Sequence, residues 1–212
     1  MRHMMKDTLI LFAITLAAGL LLGFVNELTK EPIAQYEAEK KSLACSEVFY
    51  GESEDGEMVP VKELSFEACD EEEIVRLNNN LKDKIAGNIV IDEVYRAYET
   101  NTFYGYVIGV TTKDGYNGAI SFYVGITGEG KLKGVSLLQI AETPGLGMNA
   151  ESVLLPQFRD VDAGIFTVVK SGSTSMDEID AISSATITSE AITEGVNVAY
   201  ECYVLLQEGG AS

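Results

Sequence analysis

The sequence opens with an apolar run long enough to cross a lipid bilayer. Residues 8–25 contain no charged side chain. A helix rises about 1.5 Å per residue, so this run spans roughly 27 Å, close to the thickness of a hydrocarbon core. A cleaved signal peptide is the alternative, but the run is long for one and no small-residue cleavage site follows it. The sequence therefore predicts one retained transmembrane helix at residues 8–25.

The charges that flank this run predict its direction. Arg2 and Lys6 precede it, whereas the segment that follows is balanced or acidic. The positive-inside rule then places residues 1–7 in the cytoplasm and the chain from residue 26 onwards outside it. Gly19 and Gly23 form a GxxxG pair, which permits close approach of a second helix but is common in membrane helices.

Composition excludes several classes of function. The net charge of −18 argues against nucleic acid as a partner, because phosphate binding needs a basic surface. The one histidine is His3, so no Ser-His or Cys-His pair can form in the domain. Cys45, Cys69 and Cys202 contain no CxxC pair and cannot supply a four-thiolate cluster. We expect no catalytic residue and no metal ligand, so an electron carrier of this sequence would need an organic cofactor.

Two of the three cysteines leave an alternative open. Cys45 and Cys69 would form a disulfide in an oxidising compartment, or they would remain as two partly buried thiols. Cys202 is expected in the core.

Hydrophobic patterning predicts an α+β fold. Residues 30–45 look helical, residues 52–58 resemble a loop, and residues 66–81 fit a short strand and a short helix. Alternating apolar runs then predict an antiparallel sheet with strands at 94–99, 103–112, 119–126 and 132–140. A further strand is expected at 165–169 and a closing helix at 189–207. The apolar residues of this helix recur at three- and four-residue steps, which predicts one face packed on the sheet: Ile192, Val196, Ala199, Tyr203 and Leu206. The predicted organisation is a helical and linker region at 26–90, a main domain at 91–207 and a flexible tail at 208–212.

A run of small polar residues precedes the closing helix, from Ser183 to Ser189. Serine and threonine are common N-caps of helices, which is the simple structural explanation. The unpaired N–H groups and the positive end of the helix dipole also attract anions, and small side chains let an anion approach. Both interpretations stay open on these residues alone, and they leave the ligand unnamed.

The segment Asp180-Ala181-Ile182-Ser183-Ser184-Ala185-Thr186-Ile187-Thr188 resembles the flavinylation motif of FMN-binding domains in Rnf and Nqr complexes, broadly D-x-x-S-G-A-T-x-T. In that family a flavin transferase attaches FMN, through its phosphate, to the last threonine. The resemblance implies a phosphoester of FMN on Thr188 and a role for Asp180 in recognition of the motif. It also implies that four residues lie against the cofactor: Ser183, Ser184, Ala185 and Thr186.

The motif departs from the family pattern at Ser184, where glycine is usual. If the position requires a positive φ, serine there costs about 1–2 kcal/mol or shifts the loop. If it requires only a close approach, the hydroxymethyl group of serine can fit. We expect flavinylation to survive, because Asp180, Ala185, Thr186 and Thr188 all match the motif.

A second block carries the same resemblance. Gly115-Tyr116-Asn117-Gly118-Ala119-Ile120 leads, through Gly125 and Gly134, into Glu142-Thr143-Pro144-Gly145-Leu146-Gly147. The latter is similar to the family's loop against the flavin and implies a cofactor contact for Glu142, Thr143, Gly145, Leu146 and Gly147. Without the companion motif, Thr143-Pro144-Gly145 is explained as a type II turn. Tyr104, Tyr106 and Tyr116 are interpreted as sheet packing.

These blocks, their order and the anchor with its trailing NELTKEPIA cover nearly the whole chain. They are similar to the G subunit of Rnf complexes, with the C subunit of Nqr complexes second. The resemblance implies an electron-carrying subunit, with covalent FMN, of a ferredoxin:NAD oxidoreductase that translocates Na⁺ or H⁺. It implies as partners the Rnf subunits of types A, B, C, D and E, especially the flavin-bearing D subunit, and a flavin transferase during maturation.

Two other functions remain as alternatives at this point. One is a membrane-tethered flavoprotein that reduces extracellular acceptors without a complex. The other is a non-redox scaffold or binding domain, in which the hydroxyl run is only a helix cap.

Overall fold

The computed structural model describes residues 2–52, 58–61, 64–82 and 88–209. It divides into two compact units, Met1–Ser42 and Leu43–Ser212. The fold class is α+β, as predicted, with an apolar N-terminal helix and a domain built on an antiparallel sheet.

The first helix, α1, runs from Arg2 to Glu47 without a break and contains Pro32. It includes both the predicted membrane span and the predicted helix at 30–45. Its large apolar side chains are exposed along the whole span; Leu9, Phe12 and Leu22 are 64–72% exposed. A helix that is long, apolar and exposed all round has a surface suited to lipid rather than to water.

The second unit is organised around a six-stranded antiparallel sheet in the order β3-β4-β5-β6-β7-β8. The central strands are long and the edge strands short, which limits unpaired sheet edge. Their bounds are β3 Leu64–Ala68, β4 Ile89–Glu99, β5 Thr102–Thr112, β6 Ile120–Thr127, β7 Lys131–Gln139 and β8 Val161–Asp162.

Shorter elements complete the unit. They are the antiparallel pair β1 Tyr50–Glu52 and β2 Met58–Pro60, helix α2 Glu71–Leu81, a 3₁₀ turn Gly147–Asn149, helix α3 Ala150–Val153, a 3₁₀ turn Leu155–Phe158, and the parallel pair β9 Thr167–Val169 and β10 Glu178–Asp180. The closing helix, α4, runs from Thr186 to Gly209. Of the loop predicted at 52–58, residues 53–57 lie outside the described residues, as do residues 210–212 of the predicted tail.

Several helices and strands begin at other residues than the sequence predicted. The first long strand begins at Ile89, five residues before the predicted start, since Ile89 and Ile91 already alternate inward. The closing helix begins at Thr186 rather than at residue 189. The stretch at 66–81 contains both a strand, β3, and a helix, α2, which Asp70 caps through a 2.8 Å hydrogen bond from the Glu73 N–H. The sequence did not predict β1, β2, β8 or β10.

The main hydrophobic core lies between one face of the sheet and helices α2 and α4. Successive side chains of β6 point to opposite faces of the sheet. Phe122 belongs to this core, whereas its neighbour Tyr123 packs on the opposite face. The predicted apolar face of the last helix is confirmed, since all its members are buried: Ile192, Val196, Ala199, Tyr203 and Leu206.

The opposite face of the sheet is covered by the end of α1 and the residues after it. Val48 is fully buried there, over Gly125 of β6 and Gly134 of β7, which are direct partners across the two strands. A Cβ atom on Gly125 would lie 2.8 Å from Val48 Cβ. The Glu47 carboxylate also accepts a 3.0 Å hydrogen bond from the Ser136 hydroxyl. The two glycines therefore leave the space in which Val48, just after α1, packs against the sheet.

The cysteines are buried thiols rather than a disulfide. Cys45 packs on the Val48 face of the sheet, whereas Cys69 and Cys202 belong to the main core on the other face. The sheet therefore separates Cys45 from Cys69. Burial raises the pKa of the Cys69 and Cys202 thiols to about 12, which suppresses thiolate formation at neutral pH.

Replacement of Gly125 by alanine should destabilise the domain by about 1–3 kcal/mol, because the new methyl group overlaps Val48 and its carbonyl oxygen. The measurement is the thermal unfolding midpoint of the full chain in detergent. Gly164→Ala is the matched control, since a Cβ atom there meets nothing within 4 Å. Equal midpoints for the two variants would contradict the packing described for Val48.

Candidate functional site

A cleft of about 510 Å³ lies where three segments of the second unit meet. They are the connection between β5 and β6, the loop after β7 and the first turn of α4. Its size is within the usual range for cofactor sites. The lining residues are Tyr116, Glu142, Thr143, Leu146, Gly147, Ser184, Ala185, Thr186, Ile187 and Thr188.

The loop after β7 contains a turn of defined type. The Leu146 N–H donates a 3.1 Å hydrogen bond to the Thr143 carbonyl, with Pro144 second in the turn and Gly145 third at φ 77°. This is a type II turn, as its sequence predicted, and the positive φ explains the glycine. The turn directs Leu146 and Gly147 into the cleft.

Behind the turn, glycine permits close packing around Thr188. A Cβ atom on Gly147 would lie 2.8 Å from the Thr188 hydroxyl oxygen and 2.8 Å from Glu142 Cβ. A Cβ atom on Gly115 would lie 2.9 Å from a Glu142 carboxylate oxygen. Glu142 is 5% exposed, and the same oxygen accepts a 3.3 Å hydrogen bond from the Asn117 N–H. The two glycine-containing blocks of the sequence thus meet at Glu142.

The entry into α4 is a tight turn. The Ala185 N–H donates a 2.9 Å hydrogen bond to the Ile182 carbonyl, and Ser184 has φ 62°. The first helical bond runs from the Ser189 N–H to the Ala185 carbonyl. Within the described part of the chain, the N–H groups of Thr186, Ile187 and Thr188 therefore have no backbone acceptor. All three residues line the cleft, so their unpaired donors and the helix dipole favour an anion there.

Two neighbouring hydroxyls in this turn differ in their bonding. The Ser189 hydroxyl accepts from the Ile182 N–H at 2.9 Å and donates to the Ala185 carbonyl at 3.0 Å, so it holds the turn together. Thr188 makes no hydrogen bond through its hydroxyl to any residue that the structure describes, although it is 1% exposed. Of these two neighbouring hydroxyls, only that of Thr188 is available for chemistry.

The structure does not bring every predicted site residue to the cleft. Eight predicted residues line it, whereas Asp180, Ser183 and Gly145 do not. Asp180 ends β10, and its carboxylate accepts a 2.9 Å hydrogen bond from the Ser173 N–H. Its backbone N–H and carbonyl bond the Gln157 side-chain amide at 2.8 and 3.0 Å. Asp180 therefore organises the segment before the site.

Two lining residues were not predicted as part of the site. Tyr116 is 69% exposed at the mouth of the cleft, so its interpretation as sheet packing was wrong. Ile187 is 50% exposed and occupies the variable position of the motif. The sequence did contain a signal for Tyr116, because this residue lies within the block Gly115–Ile120 that carries the family resemblance. Tyr106 is buried, and Tyr104 packs edge-on against Phe49, as expected for sheet packing.

The lining suits a phosphate-bearing aromatic cofactor. Three unpaired N–H groups lie beside a threonine hydroxyl at one end, and Tyr116, Leu146 and Ile187 offer exposed apolar area around the opening. Flavin phosphates require the first feature, and flavin rings use the second for packing. The residues present therefore fit FMN.

Comparison with known proteins agrees with this chemistry. Residues 115–201 match the family model of the FMN-binding domain, and residues 1–48 match that of the RnfG N-terminal region. The first match includes every residue that lines the cleft. The second unit thus contains an FMN-binding domain.

Several relatives match over half of the chain or more. The G subunit of the Na⁺-translocating ferredoxin:NAD⁺ oxidoreductase complex of Acetobacterium woodii is 31% identical, covering 93% of this chain and 90% of that protein. Its counterpart in the proton-translocating complex of Clostridium ljungdahlii is 43% identical over 50% of this chain and 57% of its own length. The G subunit of the ion-translocating oxidoreductase complex of Aliivibrio fischeri is 29% identical, covering 97% of this chain and 92% of that protein.

One solved structure shows a weak likeness. The crystal structure of Shewanella oneidensis NqrC matches with a TM-score of 0.45 and 18% identity, over 55% of this chain and 61% of that one.

The chain therefore belongs to the G-subunit family of Rnf-type ion-translocating oxidoreductase complexes. It is a membrane-associated, FMN-binding electron-transport subunit.

Substitution of Ser184 by glycine should raise the free energy of unfolding by about 1 kcal/mol, because glycine adopts a φ of 62° without the steric penalty of a side chain. Thermal unfolding of the full chain in detergent measures the gain. The adjacent Ser183→Gly is the control and should give no gain, since Ser183 is not among the residues with positive φ. A lower midpoint for Ser184→Gly would show that the hydroxymethyl group contributes more than the strain it imposes.

Proposed function

We propose that this chain carries FMN covalently, as a phosphoester on Thr188, and relays electrons outside the cytoplasm within an Rnf-type complex. The observation that carries the proposal is the Thr188 hydroxyl, which lies in the cleft beside three unpaired N–H groups and makes no hydrogen bond to the described residues. Such a group can be esterified without breaking an existing bond. The neighbouring Ser189 hydroxyl cannot, because it already holds the turn.

Each part of the cleft would then have a role. The N–H groups of Thr186, Ile187 and Thr188 would donate to the phosphate oxygens, and the helix dipole would stabilise the negative charge. Glu142 can only accept while it is ionised, so it would contact flavin donors such as ribityl hydroxyls or the ring N–H. FMN supplies the one- and two-electron chemistry, and the protein positions and shields it. Thr143 and Gly147 would form the wall against the flavin, and Gly145 would support that wall through the turn it occupies.

The proposed partners are those of the related complexes. The relatives are named as subunits of ferredoxin:NAD oxidoreductases that translocate Na⁺ or protons, and we propose the same complex for this chain. We propose that its FMN exchanges electrons with the flavin-bearing D subunit, and that a flavin transferase attaches it. The Asp180–Thr188 segment would be the substrate of that enzyme, with Asp180 holding it in the required conformation through Ser173 and Gln157.

We also propose that residues 8–25 span the membrane, with residues 1–7 in the cytoplasm and residues 91–207 forming the FMN-binding domain outside. The positive residues before the span support this direction. A C-terminal fusion of alkaline phosphatase should be active, because that reporter folds only outside the cytoplasm, and a green fluorescent protein fusion at the same point should be dark. The opposite pair of results would reverse the orientation.

Thr188→Ala should abolish covalent flavin. The full chain is expressed with a flavin transferase, separated on a denaturing gel and viewed under ultraviolet light, where the wild type should fluoresce. Thr186→Ala should keep most of the fluorescence, because Thr186 lines the cleft but is less buried than Thr188. Thermal unfolding of each variant checks that loss of fluorescence does not come from loss of folding.

Other outcomes would change the proposal in defined ways. A dark wild-type band would contradict covalent attachment and leave FMN to bind by contacts alone. Fluorescence that survives in Thr188→Ala and disappears in Thr186→Ala would move the ester to Thr186.

A further inference from the structure

A second cavity, of about 660 Å³, lies beside the flavin cleft. We call it the acidic cavity. The first turns of α4 form one wall, the segment leading into β9 forms another, and the end of β5 with Asp114 forms the third. Ile187 lines both this cavity and the flavin cleft, so the two sites share a wall.

The charges that line the acidic cavity are all negative. Asp114, Glu190 and Glu194 contribute carboxylates, and none of the other described lining residues is basic. Glu190 and Glu194 are exposed and one helical turn apart on α4, an arrangement of like charges that destabilises a helix by itself. Asp114 is held at the edge of the cavity by hydrogen bonds from the Asn88 N–H and side-chain amide, at 2.8 and 3.1 Å. A cation in the cavity would offset the repulsion between these carboxylates.

A buried hydroxyl in the same wall also lacks a partner. Thr193 lines the cavity, is 2% exposed, and its hydroxyl oxygen makes no hydrogen bond to the residues that the structure describes. A buried hydroxyl without a partner costs about 1–3 kcal/mol, and native proteins contain few of them. Ser189, one turn earlier on the same helix, uses its hydroxyl to bond the carbonyl four residues back. Thr193 has no such bond, so its oxygen is left to accept a hydrogen bond from a ligand.

The surroundings point to a protein as the source of the cation. Ile165 and Ile187 are 51% and 50% exposed at the acidic cavity, and Tyr116 is 69% exposed at the flavin cleft beyond Ile187. Exposed apolar side chains around a recessed charged site are typical of an interface between proteins. The relatives of this chain are subunits of a multi-subunit complex, which supplies such a partner.

We infer that the acidic cavity receives an arginine or lysine side chain of the partner protein that docks over the flavin cleft. Arginine fits best by donor count, because its guanidinium group can bond two carboxylates and the Thr193 hydroxyl together. The charges would orient the partner, while the apolar residues at the cleft would let it approach the flavin. This inference rests on the proposed function, in which the FMN exchanges electrons with a neighbouring protein of the complex.

Site-specific photo-crosslinking in the intact complex tests the inference. A benzoylphenylalanine replaces Ile165 in the full chain, the complex is irradiated, and the crosslinked partner is quantified and sequenced by mass spectrometry. The double variant Glu190→Gln, Glu194→Gln should lower the yield about tenfold at low salt, because charge pairs guide docking. The wild-type yield should fall similarly above about 0.5 M salt, where screening is strong. The crosslinked peptide should contain arginine or lysine.

Matched controls separate docking from general effects. Glu71→Gln with Glu72→Gln removes the same charge from the first turn of α2, which does not line the cavity, and should leave the yield unchanged. The same crosslinker at Val75, which is exposed on α2, should capture no partner at comparable yield. A double-variant yield equal to that of the wild type at every salt concentration would overturn the inference. So would a yield that chelator abolishes and a divalent metal ion restores, because the cation would then be a metal.

The substitution Thr193→Val tests the role of the hydroxyl independently of the carboxylates. Removal of a hydroxyl that has no partner should leave the thermal midpoint unchanged or higher, and it should lower the crosslink yield about threefold. An unchanged yield would show that Thr193 does not contact the partner. The inference would then lose the unpartnered hydroxyl on which it rests and would be overturned.

Fluorescence of the denatured bands in the same samples reports FMN attachment independently. The double variant should keep its fluorescence, because Glu190 and Glu194 do not line the flavin cleft. A dark wild type that still crosslinks would contradict the covalent FMN alone, whereas a fluorescent wild type that does not crosslink would contradict the docking surface alone.

Discussion

Helix α4 meets the sheet at a point where only glycine fits. A Cβ atom on Gly195 would lie 2.5 Å from the tip of the Phe122 ring and 3.3 Å from a methyl group of Val110. Because α4 is continuous from Thr186, this contact also fixes the position of its first turn. Thr188 lies two turns, about 10 Å, along the helix from Gly195. The close approach of Gly195 to Phe122 is therefore one of the contacts that hold the unpaired N–H groups against the loop after β7.

The electrostatics of the cleft favour a covalent bond over free binding. Its lining contains no lysine or arginine among the described residues, and the chain as a whole carries a charge of −18. Three N–H groups and a helix dipole contribute about 0.3–2 kcal/mol towards an anion, too little to retain a charged cofactor against dilution. The ester proposed on Thr188 would remove that requirement. The donors would then need only to orient the phosphate, a task suited to groups that are fixed in the backbone.

Local periodicity decided which parts of the fold and the site could be predicted from the sequence. The four long strands and the buried face of α4 have clear patterns and lie within a few residues of their predicted positions, whereas β8 and β10 are too short to show a period. The motifs likewise predicted that the loop after β7 and the start of α4 carry the site, and the structure brings both to one cleft. They did not predict that Asp180 turns away to bond Ser173 or that Tyr116 lies at the mouth, because such orientations depend on neighbours distant in sequence.

The strain at Ser184 can be weighed against the packing of the helix that follows it. A left-handed serine costs about 1–2 kcal/mol. The helix α4 buries twelve residues, among them Ile192, Val196 and Leu206. Each large apolar side chain that becomes buried contributes about 1.5–3 kcal/mol. The packing of α4 therefore exceeds the strain severalfold and holds the turn in the conformation that glycine would adopt freely. We therefore expect serine at this position to lower the stability of the domain without changing the direction of the N–H groups that the cleft requires.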